Sequence, residues 1–513
     1  MVSRRELRFY RFSILMCNCL LTFGSFYAFD MPSAIQTELQ DKEGCWNTTV
    51  EMDINSTTSP TNQTTCCPDC LGLGPFHYNL LFAIYAWIAA VIVLIAGILV
   101  DRMGTRFGAL CFASVALCGS IIFAISVSRS LRGSSVMFPM LLLGRLLLGT
   151  GNSGMRIVQD RVTAFWFKHK ELSLAFGVTL SFSRLGSVIN YLITSKIVKN
   201  FGLEALFWSC AGLCCCGFVF ALILSMLDQH GTKKIMGNCS ERKPTRKLSI
   251  SDIGQFSATF WLLTIVTMFS YSTIIPYVAD SSKLYQDKYG YSKMEASYIA
   301  GEPYDVAMVA APIVGIIVDK VGYRGYLMIF SAAFTVPILP LVVLTNIPAY
   351  IASLIIGFNY TFAAVSMWPS VPLLVKPRAL GTAMGILTSL QYIGIGTTNV
   401  GMGKILSFYE QSDKMEGWTE ALVFLTAIIL ICLFFSILLN VVDLKQGAVL
   451  NKKRKKCLRD SDASSSVHTS ESINAEERPI LAADFRSRIA PKYQAFVSSA
   501  GSGSSFGSSI NKV

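Results

Sequence analysis

The 513-residue sequence predicts an all-α membrane protein, with twelve transmembrane helices arranged as two six-helix bundles. Three observations predict it. Twelve apolar stretches are long enough to cross a bilayer, Lys and Arg collect in alternate loops, and the pattern closing the second stretch recurs at the end of the eighth.

A helix needs about 20 mostly apolar residues to cross a hydrocarbon core roughly 30 Å thick. Stretches 9–29, 79–100, 107–127, 137–158, 172–194, 205–227, 259–279, 297–318, 325–345, 349–375, 381–403 and 421–442 meet that length. They are too long and unbroken for the tilted strands of a barrel. Composition agrees: 52% of residues are hydrophobic and 15% charged, too few charges to coat several water-facing domains, so a soluble multidomain enzyme is excluded. The first stretch is followed by no small-residue cleavage site and is read as a retained span, not a signal peptide.

Charge sets the orientation. With both termini and the 2–3, 4–5, 6–7, 8–9 and 10–11 loops in the cytosol, that side holds 31 basic and 15 acidic residues, and the opposite loops hold 10 and 15. This follows the positive-inside rule. The net charge of +12 therefore reports topology and contact with anionic membrane lipid, with no nucleic-acid partner. The organisation is a cytosolic N-terminus (1–8), a first bundle (9–227) carrying a lumenal loop at 30–78, a cytosolic linker (228–258), a second bundle (259–442) and a polar, disordered cytosolic tail (443–513). The 30–78 loop contains the sequons of Asn47, Asn55 and Asn62, which are glycosylated only on the lumenal or extracellular side. Cys45, Cys66, Cys67 and Cys70 share the loop and are disulfide candidates in an oxidising compartment, with all three pairings open. No metal site is expected.

Span two ends Gly97-Ile-Leu-Val-Asp101-Arg102-Met-Gly104-Thr-Arg106, and span eight ends Gly315-Ile-Ile-Val-Asp319-Lys320-Val-Gly322-Tyr-Arg324. The glycines would let helices approach closely, the Asp would face a helix N-terminus of the other bundle, and the basic residues would bond across the seam. Such a cluster gates one conformation. The duplicated pattern resembles the major facilitator superfamily of secondary transporters, as does Arg145-Leu-Leu-Leu-Gly149-Thr-Gly151 in span four. The resemblance covers 9–442 and implies alternating access by rocking of two bundles around a midplane site.

Further segments resemble a lysosomal dipeptide-transporter branch of that superfamily. These are Phe23 to Pro32, Trp166 to Leu172, Ser183 to Asn190, Trp368-Pro369 and Leu380 to Gly385. The resemblance implies dipeptide export to the cytosol, by uniport, from the lysosomal membrane. One departure stands out. The branch has an acidic residue after the span-four glycines, where this chain has Asn152-Ser153-Gly154; span eight instead carries Glu302-Pro-Tyr-Asp305. The expectation is that a cation-binding carboxylate for basic side chains has moved to span eight, the alternative being a pair at the lumenal mouth meeting Arg145 or water.

Charges inside a membrane are expensive and mark function. Arg184, near the midplane, is the candidate anchor for a peptide carboxylate, which an arginine holds in two parallel bonds. Asp30, at the lumenal end of span one, would meet the peptide amine or cap the loop. Tyr304, Trp368 and Gln391, with Tyr271 and Tyr277, are candidates for the wall, and Pro276, Pro303 and Pro369 for bends. Arg145 is assigned to gating or packing, and Arg156 to snorkelling towards the cytosol. No enzyme signature or cofactor motif is present, and all four His lie outside the spans, so a proton symporter would need Asp30, Glu302 or Asp305. In the tail, Ile480-Leu481 after an acidic run and Tyr493-Gln-Ala-Phe496 match signals read by clathrin adaptors, which points to the lysosome. The alternatives are a plasma-membrane facilitator for another small organic solute, and a transport-fold nutrient sensor or scaffold. A second copy of the chain or a glycosylated accessory membrane protein are the partners considered beyond these.

Overall fold

The computed structural model describes residues 4–41, 44–49, 62–67, 70–167, 172–236, 256–375, 380–410 and 412–451. Its long helices are α1 (Arg4–Ala34), α3 (Gly74–Met103), α4 (Thr105–Ser126), α5 (Met137–Trp166), α6 (Leu172–Met236), α7 (Ala258–Tyr289), α8 (Lys293–Val321), α9 (Arg324–Leu344), α10 (Ala349–Met367), α12 (Leu380–Phe408) and α13 (Lys414–Lys445). Two short helices, α2 (Gln36–Gln40) and α11 (Val371–Leu374), complete the series. α6 is two spans in one run, broken at Gly202, whose φ of 84° suits glycine. Twelve spans result. Nine helices among the described residues, α6 counted once, are long and apolar enough to cross a membrane; α5 and α12 are the two others, and both carry buried polar side chains such as Arg145, Asn152, Gln391 and Asn399.

Each half packs mainly on itself, α1 with α6 and α4 with α5 in the first, α7 with α13 and α8 with α10 in the second. The halves meet along two seams, α3 against α12 and the first part of α6 against α8. This is the pseudo-symmetric arrangement that the repeat implies.

Several helices outrun the expected spans, and in two of them buried acids lie in the extension. α1 continues past 29 to Ala34 and α7 past 279 to Tyr289, because Asp30, Ser33, Asp280, Ser281 and Ser282 are buried inside the bundle. A hydropathy reading stops at the first charge, whereas the helix needs only that its polar groups find partners within the protein. Prolines behave unevenly. Pro276 and Pro303 lie inside continuous helices, while Pro369 turns the chain into a 3-10 segment, Trp368–Ser370. α8 starts with a reciprocal cap, Ser292 Oγ accepting from Glu295 N–H and Glu295 Oε2 from Ser292 N–H at 3.1 Å.

The 30–78 region is not wholly irregular. β1 (Gly44–Thr49) and β2 (Asn62–Cys67) form an antiparallel hairpin with Cys45 opposite Cys66 and Asn47 opposite Thr64. Cys70 is disulfide-bonded. Asn55, most of the linker and residues 452–513, including Ile480, Leu481, Tyr493 and Phe496, lie outside the described residues.

Candidate substrate site

On α8, Ala296, Ala300, Tyr304 and Ala307 form the buried stripe, and Val309, Ile313 and Ile316, at 63%, 58% and 58% exposure, form the outer one. Tyr304 therefore points to the centre. There it meets Arg184 of α6, whose guanidinium carbon lies 5.3 Å from the Tyr304 ring centre and 5.2 Å from that of Tyr360 on α10. Both contacts are in cation–π range. Arg184 Nη2 donates to the Tyr360 hydroxyl. On the far side, the Tyr304 hydroxyl approaches Asp30 Oδ1 of α1 at 3.5 Å.

Arg184 and Asp30 are not paired with each other. Among the described residues Arg184 has no carboxylate partner, so its remaining donors are open to a ligand. The wall continues with Tyr271, whose hydroxyl accepts from Trp368 Nε1 at 2.8 Å and whose ring meets Tyr360 edge-on at 5.8 Å. Tyr191 stands 6.0 Å from Tyr304 and bonds Ser33. The site is thus a cation and a carboxylate on either side of an aromatic ring, built by α1 and α6 of one half and by α7, α8 and α10 of the other.

Asp30 lies within α1 at 4% exposure, a position that leaves it no loop to cap. Gln391 on α12 is buried with Oε1 unpartnered, and Tyr277 is spent on Tyr285. Among the described residues no bond joins Glu302 or Asp305 to Arg184, Tyr304 or Asp30; both are half-buried, Glu302 Oε2 is buried without a partner, and neither acid is paired with Arg145. Transport of Lys- or Arg-containing dipeptides by the Glu302→Gln/Asp305→Asn protein is expected to match the parent in a proteoliposome assay. At the departure noted in α5, Asn152 accepts from Ser25 Oγ at 2.7 Å and donates to the Tyr85 hydroxyl, so both ends of its amide tie helices together.

Arg145 is fully buried and donates to backbone, to Ala28 O at 2.9 Å, Phe29 O at 3.3 Å and Leu81 O at 3.2 Å. The reason lies in Pro32. Having no N–H, it leaves the Ala28 carbonyl without its helical donor, and Arg145 supplies one. Arg156 departs from its expected outward course and sits 5.9 Å above the Phe26 ring of α1, facing the interior. Sequence reasoning missed Tyr360, Tyr191 and this turn of Arg156. A polar residue in an apolar span was the only available signal for the two tyrosines.

The repeated motif shows what its glycines do. Gly104 and Gly322 close α3 and α8 at φ 88° and 77°, each donating its N–H back to a valine carbonyl. Their shared need is backbone freedom more than close packing. A Cβ on Gly97 would have no atom within 4 Å, and one on Gly315 would touch only Val365 at 3.9 Å. Arg106 binds Asp228 at 2.8 Å and Arg324 donates to Pro369 O at 3.1 Å, each within its own half. The side chains of Asp101, Arg102, Asp319 and Lys320 lie outside the described residues.

At the other end, where α2 lies, the halves are fastened together. Thr37 donates to Gln286 at 2.7 Å, Gln36 to Asp280 at 2.8 Å and Tyr78 to Ala279 O at 2.6 Å, while Lys283 pairs with Asp41 at 2.9 Å and Lys293 with Glu38 at 3.3 Å. The α2 end is shut.

The sequence profile of the Major Facilitator Superfamily matches residues 14–398. The chain belongs to the major facilitator superfamily. Within that superfamily it is similar to the lysosomal dipeptide transporter MFSD1 of Homo sapiens, 27% identical over 455 residues that cover 86% of this chain and 88% of that protein. The Bos taurus protein of the same name is 28% identical over 87% of this chain and 89% of its own. The multidrug resistance protein MdtL of Escherichia coli is 27% identical over 64% of this chain and 83% of its own. Among solved structures, a POT family transporter in complex with 5-aminolevulinic acid matches with TM-score 0.60 at 11% identity, over 83% of this chain and 96% of that one. A point mutant of the nucleoside transporter NupG matches with TM-score 0.60 at 12% identity, over 83% and 99%. At such identities the solved structures show the fold. The protein is a non-enzymatic membrane transporter.

Proposed function

We propose that this transporter exports dipeptides across the lysosomal membrane to the cytosol as a uniporter. The observation that carries this reading is the separated pair of Arg184 and Asp30 around Tyr304. A zwitterionic dipeptide carries a carboxylate at one end and an ammonium at the other, and the two side chains offer the complementary charges on either side of Tyr304. Arg184 takes the carboxylate in its planar fork, and Asp30 the amine. The aromatic wall of Tyr271, Tyr304, Tyr360 and Trp368 tolerates varied side chains, which suits a transporter reading the backbone of its substrate.

The division of Lys and Arg supports placing both termini in the cytosol and the α2 end towards the lumen. In this reading the lumenal gate is the closed one, and residues 97–106 and 315–324 serve as the hinge and latch of the opposite state. The adaptor-type signals of the tail and the name of the MFSD1 relatives support lysosomal residence.

The test is flux of a dipeptide panel into proteoliposomes, with and without a pH gradient. Dipeptides are expected to equilibrate in both cases without accumulating above equilibrium; transport of the free amino acids alone, or accumulation driven by the gradient, would refute the reading. Tyr360→Phe, which removes the hydroxyl beside Arg184, is expected to raise KM about 3–10-fold, the net contribution of about one ordinary hydrogen bond, at similar maximal flux.

A further inference from the structure

Asp280 of α7 is 1% exposed, and it lies at the joint between the two halves. Its Oδ1 accepts from Gln36 Nε2 at 2.8 Å and from Asn79 Nδ2 at 3.2 Å, both residues of the first half. Its Oδ2 is buried without a partner, and so is the Oδ1 of Asn79. A carboxylic acid and a primary amide joined edge to edge form two bonds, amide N–H to acid carbonyl and acid O–H to amide carbonyl. The first bond is present, and the two atoms left over are the ones the second would join. One proton on Oδ2 satisfies both.

Among the described residues no cation is paired with it. Lys283, one turn on, holds Asp41 at 2.9 Å with Asp287 at 3.9 Å, and Lys293 of α8 holds Glu38. From α3, Tyr78 commits its hydroxyl to Ala279 O; α1 brings Asp30, one more acid. The buried residues of α12 include no titratable side chain, those of α10 only Tyr360, and those of α13 only Cys432 and Asp443. An ionised carboxylate buried without a cation is strongly disfavoured.

We infer that Asp280 is a proton-binding site, occupied whenever the α2 end is closed, and that its proton makes this closure pH-sensitive. Opening parts α7 from Gln36 and Asn79 and brings the carboxyl into water, where it ionises. The closed state binds the proton more tightly than the open one, so acid on the α2 side favours closure and a rising pH favours opening. The proton enters and leaves on the same side. It regulates the gate without crossing the membrane, and is compatible with uniport. The inference needs neither the substrate nor the orientation proposed above.

The test uses the full-length protein, with Cys239, Cys457 and the exposed Cys118, Cys215 and Cys216 changed to Ser. Nitroxide labels are placed at Ser130→Cys and Ser412→Cys, exposed positions on the two halves at the α2 end. Pulsed electron spin resonance then reads their separation between about pH 5 and about pH 8. The closed, short-distance population is expected to grow as pH falls, the closed-to-open ratio changing by up to about tenfold per pH unit, the limit for one proton. Asp280→Asn, an isostere of the protonated acid, should stay closed throughout. A pH-independent parent or an unaltered profile in Asp280→Asn would each overturn the inference.

Discussion

Dipeptide transport by the Arg184→Ala protein is expected to need about 30-fold to about 4,000-fold more substrate than the parent, the equivalent of about 2–5 kcal/mol for truncating one partner of a desolvated charge pair. Three features place Arg184 at the top of the ranking. Among the described residues it has no acidic partner of its own, so its charge is not already spent there. Tyr304 and Tyr360 hold the guanidinium by ring and hydroxyl, leaving the rest of its fork pre-oriented. The site also joins the two halves, so a carboxylate bound there touches whatever moves. Arg184→Lys keeps the charge but loses the fork, and its KM is expected to rise about 10–100-fold, between parent and alanine. A dipeptide amide lacking the terminal carboxylate isolates the interaction. The parent should transport it poorly and Arg184→Ala no worse. A thermal unfolding midpoint close to the parent's would show that the loss is one of binding; equal loss for amide and acid would count against a carboxylate anchor.

How far the sequence discloses this site depends on what kind of signal each residue leaves. Twelve spans, the two-bundle repeat and Arg184 are legible because a membrane enforces long apolar runs and makes any charge inside them conspicuous. The same rule misleads at Asp280 and Asp30. Where polar residues are satisfied by neighbouring helices, hydropathy ends the span too early, and an acid in the inter-bundle joint is counted with a loop. Glu302 and Asp305 err in the other direction: the sequence shows two intramembrane acids three residues apart, but their direction depends on which stripe of α8 is buried. Tyr360 carries almost no signal. An aromatic in a span is ordinary, and only the Arg184 side chain arriving from the other half makes it part of a site.

Gly97→Leu is expected to fold and reach its membrane while losing about 10–100-fold of its transport rate, with the protein held in the state described here. The argument rests on contrast with another glycine. A Cβ on Gly151 would stand 2.6 Å from the backbone N of Ala116, so this glycine is already used by the α4–α5 contact and no side chain fits there. Around Gly97 nothing among the described residues lies within 4 Å, although it occupies the repeated gating motif on α3, the helix that forms a seam with α12. Gly381, at the same end of α12, is equally unobstructed. A small residue kept open in one state is physically accountable if the other state closes on it. The α2 end is fastened here, so alternation must bring α3 and α12 together at the Gly97 end when the α2 end opens. A leucine would then be overpacked only in that second state. An overpacking penalty of about 1–3 kcal/mol depletes it by the factor expected for transport, and leaves the present state untouched. Labels on the two halves at the α2 end should show the closed distance in Gly97→Leu under conditions where the parent samples both. Parental flux from this protein would mean that Gly97 never meets α12, and that the motif acts through its charged residues alone.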